Sequence, residues 1–202
     1  MLIDLSVTLN TNTPVYPGDP AIELEPAGML ERDGWNDHRV ALSTHIGTHI
    51  DAPLHMLKDG ANLGEIPLEQ FVGRGTLIEV KNEFRVEDLE KAGIQPGDIV
   101  LFCTGMSSRY HDPEYFEKYP VMPQAVADYL VAHKVKMVGV DTGSVDSAED
   151  FPIHKTLLAG GVLVAENLTN LAALQGKAFT VYALPIKLDV DGAPARIIAH
   201  CA

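Results

Sequence analysis

The chain has 202 residues, 46% of them hydrophobic and 21% charged, a composition that supports a buried core and one globular domain over residues 1–202. Its 28 acidic residues outnumber 15 lysines and arginines, and the formal net charge of −13 disfavours a nucleic-acid partner held by phosphate contacts. The start, MLIDLSVTLN, has neither a basic nor a long apolar leader, and no apolar run approaches the roughly 18 residues of a membrane helix. No membrane association and a cytoplasmic location are therefore expected.

Runs of aliphatic and β-branched residues predict strands over 76–80, 99–103, 137–140, 162–165 and 179–184. Helical spacing predicts helices over 86–92, 123–133 and 167–174, the second opening on Pro123 and carrying Val126, Tyr129 and Leu130 on one face. Interleaved strands and helices imply a mixed α/β or α+β domain. Cys103 and Cys201 have no CxxC spacing, so no disulfide framework or thiol-based zinc motif is indicated.

Chemistry concentrates in the segment His45-Ile-Gly-Thr-His-Ile-Asp-Ala-Pro-Leu-His55. His45, Gly47, His49, Asp51, Pro53 and His55 alternate with a set that includes Ile46, Ile50, Ala52 and Leu54, a two-residue period. A helix would turn Asp51 roughly 240° away from His45, and Pro53 could not donate its helical hydrogen bond. An extended strand is expected, with the ionisable groups on one face, the aliphatic residues on the other, and Gly47 making room between two imidazoles. Two imidazoles and a carboxylate suit zinc, manganese or iron(II) with coordination positions left open. The alternatives are histidines that satisfy core hydrogen bonds and a closed structural zinc site, which would need a fourth ligand.

This segment resembles the H-x-G-T-H-x-D-x-P-x-H signature of the cyclase-like family that includes bacterial kynurenine formamidase (arylformamidase) and isatin hydrolase. The likeness extends over Pro14-Val-Tyr-Pro-Gly-Asp19, residues 138–146, the region from His154 to Glu166 and Ala183-Leu-Pro-Ile186. It implies a β-rich core or barrel-like sheet flanked by helices and a homodimer. It further implies that His45 and His49 bind one metal ion, that Asp51 bridges two, and that His154 and Glu166 complete the second position. Zinc, two ions per subunit, is the implied cofactor, with manganese as the alternative. His55 would be the catalytic acid/base, and Tyr16 stands where the formamidases usually carry a substrate-contacting Trp. The implied activity is hydrolysis of N-formylkynurenine, or of an isatin-like lactam or other acylated amine. Read without the family, Glu166 is a helix N-terminal acid, Tyr16 packs beside a Pro-Gly turn, and His55 is a further ligand or a residue that orients one.

Competing readings rest on thinner motifs. Asp141-Thr-Gly-Ser144 resembles an aspartic-protease active site but has no second copy and leaves the histidines unexplained. Ser43, Ser144 and Cys103 are candidate nucleophiles without a G-x-S-x-G elbow. A metal-binding module without turnover would keep the same ligands. His38, His111, His133 and His200 are expected in surface or ordinary hydrogen-bonding roles. Asp146 and the pair Glu149-Asp150 are expected to be solvated loop charges, with 147–151 as a candidate loop over the site, and Trp35 is as suited to the core as to a substrate contact.

Overall fold

The computed structural model describes residues 1–147 and 150–202, so Glu149 and the middle of the 147–151 loop lie outside the described residues. The described residues form ten strands: β1 (Leu2–Asp4), β2 (Glu23–Gly28), β3 (Asp37–Ala41), β4 (His49–Asp51), β5 (Val72–Glu79), β6 (Ile99–Cys103), β7 (Met137–Val140), β8 (Leu163–Glu166), β9 (Phe179–Pro185) and β10 (Gly192–Cys201). The helices are α1 (Leu30–Asp33), α2 (Val86–Ala92), α3 (Gln124–Ala132) and α4 (Pro152–Ala159). Strands pair in the order β10-β4-β8-β7-β6-β5-β9, and β9 pairs back onto β10 to close the sheet into a seven-stranded barrel; β1 adds to β10, and β2 with β3 forms a separate hairpin.

The expected mixed α/β class with a barrel-like sheet is what the chain adopts. β6 and β7 coincide with their predicted spans, α2 with its helix, and β5, β8, β9 and α3 differ by a few residues at their ends. Strand parity divides the core in two. Ile99, Leu101, Leu163, Ala165, Ile50 and Ala193 point into the barrel, where they pack with Phe71, Phe179 and Val181. Val100, Phe102, Val138, Val140 and Val164 point outward against Leu89 of α2, Val126 and Leu130 of α3, and Ile153, Leu157 and Leu158 of α4. Strands buried on both faces read as continuous apolar runs, which is why β6 and β7 stand out in the sequence.

Two predicted elements are corrected. The span 167–174 is not a helix: Asn167 and Asn170 sit at φ 55° and 58°, in the left-handed region, and only Leu171–Leu174 makes a short 3-10 turn. The segment 45–55 is not one strand either. Only His49–Asp51 is extended; Gly47 turns the chain at φ 59°, and Pro53–His55 forms a 3-10 turn. Ten extended steps would separate His45 from His55 by about 33 Å, whereas their rings lie 3.9 Å apart. Gly47 therefore serves the turn, where an added Cβ would also strike Leu9, rather than opening space between imidazoles. Helix α4 is absent from the predicted set, although Pro152 at its first position and Gly160 after its end are start and stop signals.

Trp35 is exposed, its ring lying over Gly28 of the hairpin rather than in the core. No helix among the described residues is long and apolar enough to cross a membrane. Phe102, fully buried and edge-on to Phe84 with ring centroids 5.0 Å apart, carries much of the outer core. Phe102→Ala should lower unfolding free energy by about 3–5 kcal/mol, read as a shift of the urea midpoint at unchanged slope.

Candidate metal centre

Strand β4 lies between β8 and β10, with His49 opposite Glu166 and Asp51 opposite Val164 on one side, and His49 opposite Pro194 and Asp51 opposite Gly192 on the other. Because Ile50 enters the barrel, its neighbours His49 and Asp51 emerge on the outer face, beside Glu166 at the end of β8. The two-residue period thus holds over the three residues where it matters most. Helix α4 covers that face and brings His154 from its first turn. His45 and His55 enter from the turns on either side of β4.

Asp51 is the hub. Its Oδ1 lies 2.7 Å from His45 Nδ1 and 3.3 Å from His49 Nε2, and its Oδ2 lies 3.5 Å from His154 Nε2. Glu166 adds Oε1 at 3.1 Å from His154 Nε2 and Oε2 at 3.7 Å from His49 Nε2. Asp51 Oδ2 is buried without a hydrogen-bond partner among the described residues. A buried carboxylate oxygen left without a donor is costly unless a cation neutralises it. Two donor triads share Asp51, namely His45 with His49 and Asp51, and Asp51 with His154 and Glu166, the donor atoms of each lying within 4.8 Å of one another. Donors about 2.1 Å from a tetrahedral ion stand about 3.4 Å apart, so these separations fit. Imidazole and carboxylate donors without a thiolate suit zinc or manganese.

Hydrogen bonds on the far side of each ring select the nitrogen that faces the cluster. His49 Nδ1 donates to the Gly47 carbonyl at 2.8 Å, leaving Nε2 inward. His154 Nδ1 is 2.8 Å from Asp146 Oδ2, and the same carboxylate accepts the N–H groups of Ile153 and His154 in the first turn of α4. Asp146 is therefore a buried group that aims a ring and tethers a helix, not a solvated loop charge; burial opposes its ionisation, but these hydrogen bonds hold it below the usual carboxylate range. Asp191, unmarked in the sequence, faces the outer edges of His45 and His55.

All six residues expected at the site, His45, His49, Asp51, His55, His154 and Glu166, converge here. Tyr16 joins all of them except the more deeply buried Asp51 in lining a cavity of about 390 Å³, and Phe116 and Phe151 supply further aromatic wall. Tyr16 packs edge-on against Phe116 with centroids 5.7 Å apart. Neither phenylalanine carries a motif. A larger surface groove of about 1090 Å³, lined in part by Arg74, Glu79, Arg85 and Lys177, contains none of the donor triads found among the described residues. Asp141 does not form a protease dyad: it is buried and spends its carboxylate on Thr104 N and Oγ1 and Gly105 N, at 2.7–2.9 Å, anchoring the turn after β6. Burial pushes the half-buried Cys103 thiol up, away from nucleophilic ionisation. His38, His111 and His200 are exposed, and His133 stacks on Tyr129.

The sequence profile of the Cyclase family matches residues 3–147. The chain belongs to this family. A Methanocaldococcus jannaschii protein of uncharacterised function is 34% identical, with 98% of each chain covered, and a kynurenine formamidase of Bacillus cereus is 31% identical over 97% of this chain and 95% of its own. The fold is similar to that of isatin hydrolase A from Labrenzia aggregata, at TM-score 0.88, 26% identity and coverage of 98% and 93%. A potential metal-dependent hydrolase with cyclase activity gives TM-score 0.83, 31% identity and coverage of 98% and 96%.

Proton affinity in this cluster has a direct consequence. Burial works against protonation of His45, but Asp51 and Asp191 outweigh it and raise its pKa from 6.5 to about 9. His49 and His154 are likewise raised by adjoining carboxylates against the effect of burial. The raised value of His45 stabilises the metal-free fold fully below pH 6.5, and that contribution is lost as pH rises through about 9. Metal must displace the same protons. Zinc affinity should therefore increase between pH 6.5 and 9, and binding at neutral pH should release protons, measured as calorimetric enthalpies that depend on buffer ionisation heat.

Proposed function

We propose that the chain is a metal-dependent hydrolase of a small amide, with N-formylkynurenine, cleaved to kynurenine and formate, as its leading substrate. The observation that carries this reading is the pair of donor triads that share Asp51, one of whose oxygens is orphaned, beside an aromatic-walled cavity. His45, His49 and Asp51 would hold one ion and Asp51, His154 and Glu166 a second, zinc or alternatively manganese. When bound, such ions polarise a carbonyl and make water nucleophilic near neutral pH.

His55 has the position and proton affinity of the acid/base. Burial and the neighbouring His45 and His154 keep its imidazole below the ordinary value, outweighing Asp51 and Asp191, so the ring is neutral at neutral pH. A neutral imidazole takes a proton from water as it attacks the amide carbon, then delivers one to the leaving nitrogen as the carbon–nitrogen bond breaks. Its side chain is 24% exposed, against 7% or less for His49, Asp51, His154 and Glu166, which supports a role in proton exchange with a molecule in the cavity rather than deep in the donor cluster. Tyr16, Phe116 and Phe151 offer flat apolar surface to an aryl group and exclude water around it. Tyr16 is smaller than the Trp of the resembling formamidases and adds a hydroxyl, which favours a shift in substrate preference toward a cyclic amide such as an isatin-like lactam as the second reading.

The test is a panel of formamides, lactams and esters with stripped protein before and after zinc or manganese is restored. Turnover of the formamide only with metal supports the proposal, and preferential lactam opening supports the second reading. Stoichiometric metal without turnover of any member identifies a binding module. His55→Ala should lower kcat by about 10²–10⁴ at unchanged metal content, whereas joint loss of metal and activity would make His55 a ligand.

A homodimer is part of the proposal. The exposed Met29, Leu30, Trp35 and Val40 on and around the β2–β3 hairpin are apolar surface that a second copy would cover. Sedimentation equilibrium should give twice the chain mass, and Trp35→Glu should shift it toward the monomer.

A further inference from the structure

Asp191 stands in the connection from β9 to β10, where its backbone is held by the site itself: its carbonyl oxygen accepts the Ala52 N–H at 2.8 Å, and the next residue, Gly192, pairs with Asp51. The ladder that places Asp51 thus also delivers the Asp191 side chain. One of its oxygens, Oδ2, lies 2.7 Å from His45 Nε2 and 3.3 Å from His55 Nδ1, while Thr44 Oγ1 donates to Oδ1 at 3.3 Å. The two imidazoles stack with centroids 3.9 Å apart and planes tilted by 32°. Gly192 leaves the space the first of them occupies, since a Cβ there would lie 2.7 Å from His45 Cε1 and 2.9 Å from the Ile50 carbonyl oxygen.

An ionised carboxylate only accepts, so each nitrogen facing it carries hydrogen. We propose that Asp191 is a positioning residue that sets two histidines with one oxygen. It holds hydrogen on His55 Nδ1, leaving Nε2 as the atom that exchanges protons in the cavity, and it holds His45 through Nε2, leaving Nδ1 turned to Asp51. This rests on the hydrolase reading above. It differs from making Asp191 a ligand, for which the His45, His55 and Asp191 donors are also close enough, within 4.8 Å of one another.

Asp191→Ala and Asp191→Asn separate the roles, since the side chain is a third exposed and neither change opens a core cavity. In the metal-free protein, nitrogen NMR of histidine should show His55 as the Nδ1–H tautomer in the parent. It should move toward the Nε2–H form that free imidazole prefers in the alanine variant, with asparagine, whose carbonyl oxygen still accepts, in between. In the zinc-loaded enzyme kcat should fall about 10–100-fold with KM within about threefold and saturating zinc content unchanged. An unchanged tautomer in the alanine variant, a rate fully restored by excess zinc, or a lost zinc equivalent at saturation would each overturn the proposal, the last by making Asp191 a ligand. If the parent turns over no substrate, the hydrolase reading fails, and the tautomer of His55 still decides the role of Asp191.

Discussion

A carboxylate placed in a protein interior must be neutralised or given donors, and in this chain Asp51 imposes that condition on everything around it. It is almost completely buried on a three-residue strand, with imidazoles approaching one oxygen and the second left without a hydrogen bond. Burying such a group without compensation costs several kcal/mol, roughly speaking, for each missing partner. The surrounding chain supplies the compensation by position. β8 sets Glu166 level with His49, α4 lowers His154 onto the same face, and the turns before and after β4 fold His45 and His55 back over it.

The barrel makes this arrangement possible because each strand serves two layers. Ile50, Ala165 and Ala193 are neighbours across three strands and fill the interior, while the residues beside them in sequence carry the chemistry outside. A rigid interior therefore fixes the angle at which His49, Asp51 and Glu166 leave the sheet, and outer ties select the nitrogen each ring presents. Gly47 O, Asp146 and Asp191 perform this for His49, His154 and His45 respectively. Rings restrained on the far side lose little further freedom when the near side takes a ligand, which is how a cluster of this kind keeps its geometry while changing charge.

Two of the four non-glycine residues in the left-handed region among the described residues line the cavity at this site. Phe151, which caps α4 and lines the cavity, and Asn167, which follows Glu166, both occupy the left-handed region without being glycine. Asn167 is held there by its backbone N–H to Thr142 O and its side-chain nitrogen to Gly47 O at 3.0 Å each. Strained conformations persist where surrounding contacts over-determine them, and these two bracket the elements that carry His154 and Glu166.

Much of the site was legible because its chemistry is compact in sequence. His45, His49, Asp51 and His55 fall within eleven residues, Ile50 marks the opposite face, and the spacing carries a family resemblance that also reaches His154 and Glu166. The buried strands β6 and β7 were legible because aliphatic runs have few other fates. What could not be read was anything set by a return of the chain. The turns at Gly47 and Pro53 convert a would-be strand into a cage, and no local pattern distinguishes the two, since Leu9 lies where a Cβ at position 47 would go and the Ala52 N–H is tied to the distant Asp191 carbonyl. Asp146 looked like a loop charge because its partners, the Ile153 and His154 amides and the His154 ring, become adjacent only when α4 docks. Asp191, 140 positions after Asp51, reaches His45 and His55 because β10 pairs with β4. Residue types and short spacings determined which atoms could bind or move a proton; the pairing of distant strands, through hydrogen bonds that leave no trace in local sequence, decided which of them meet.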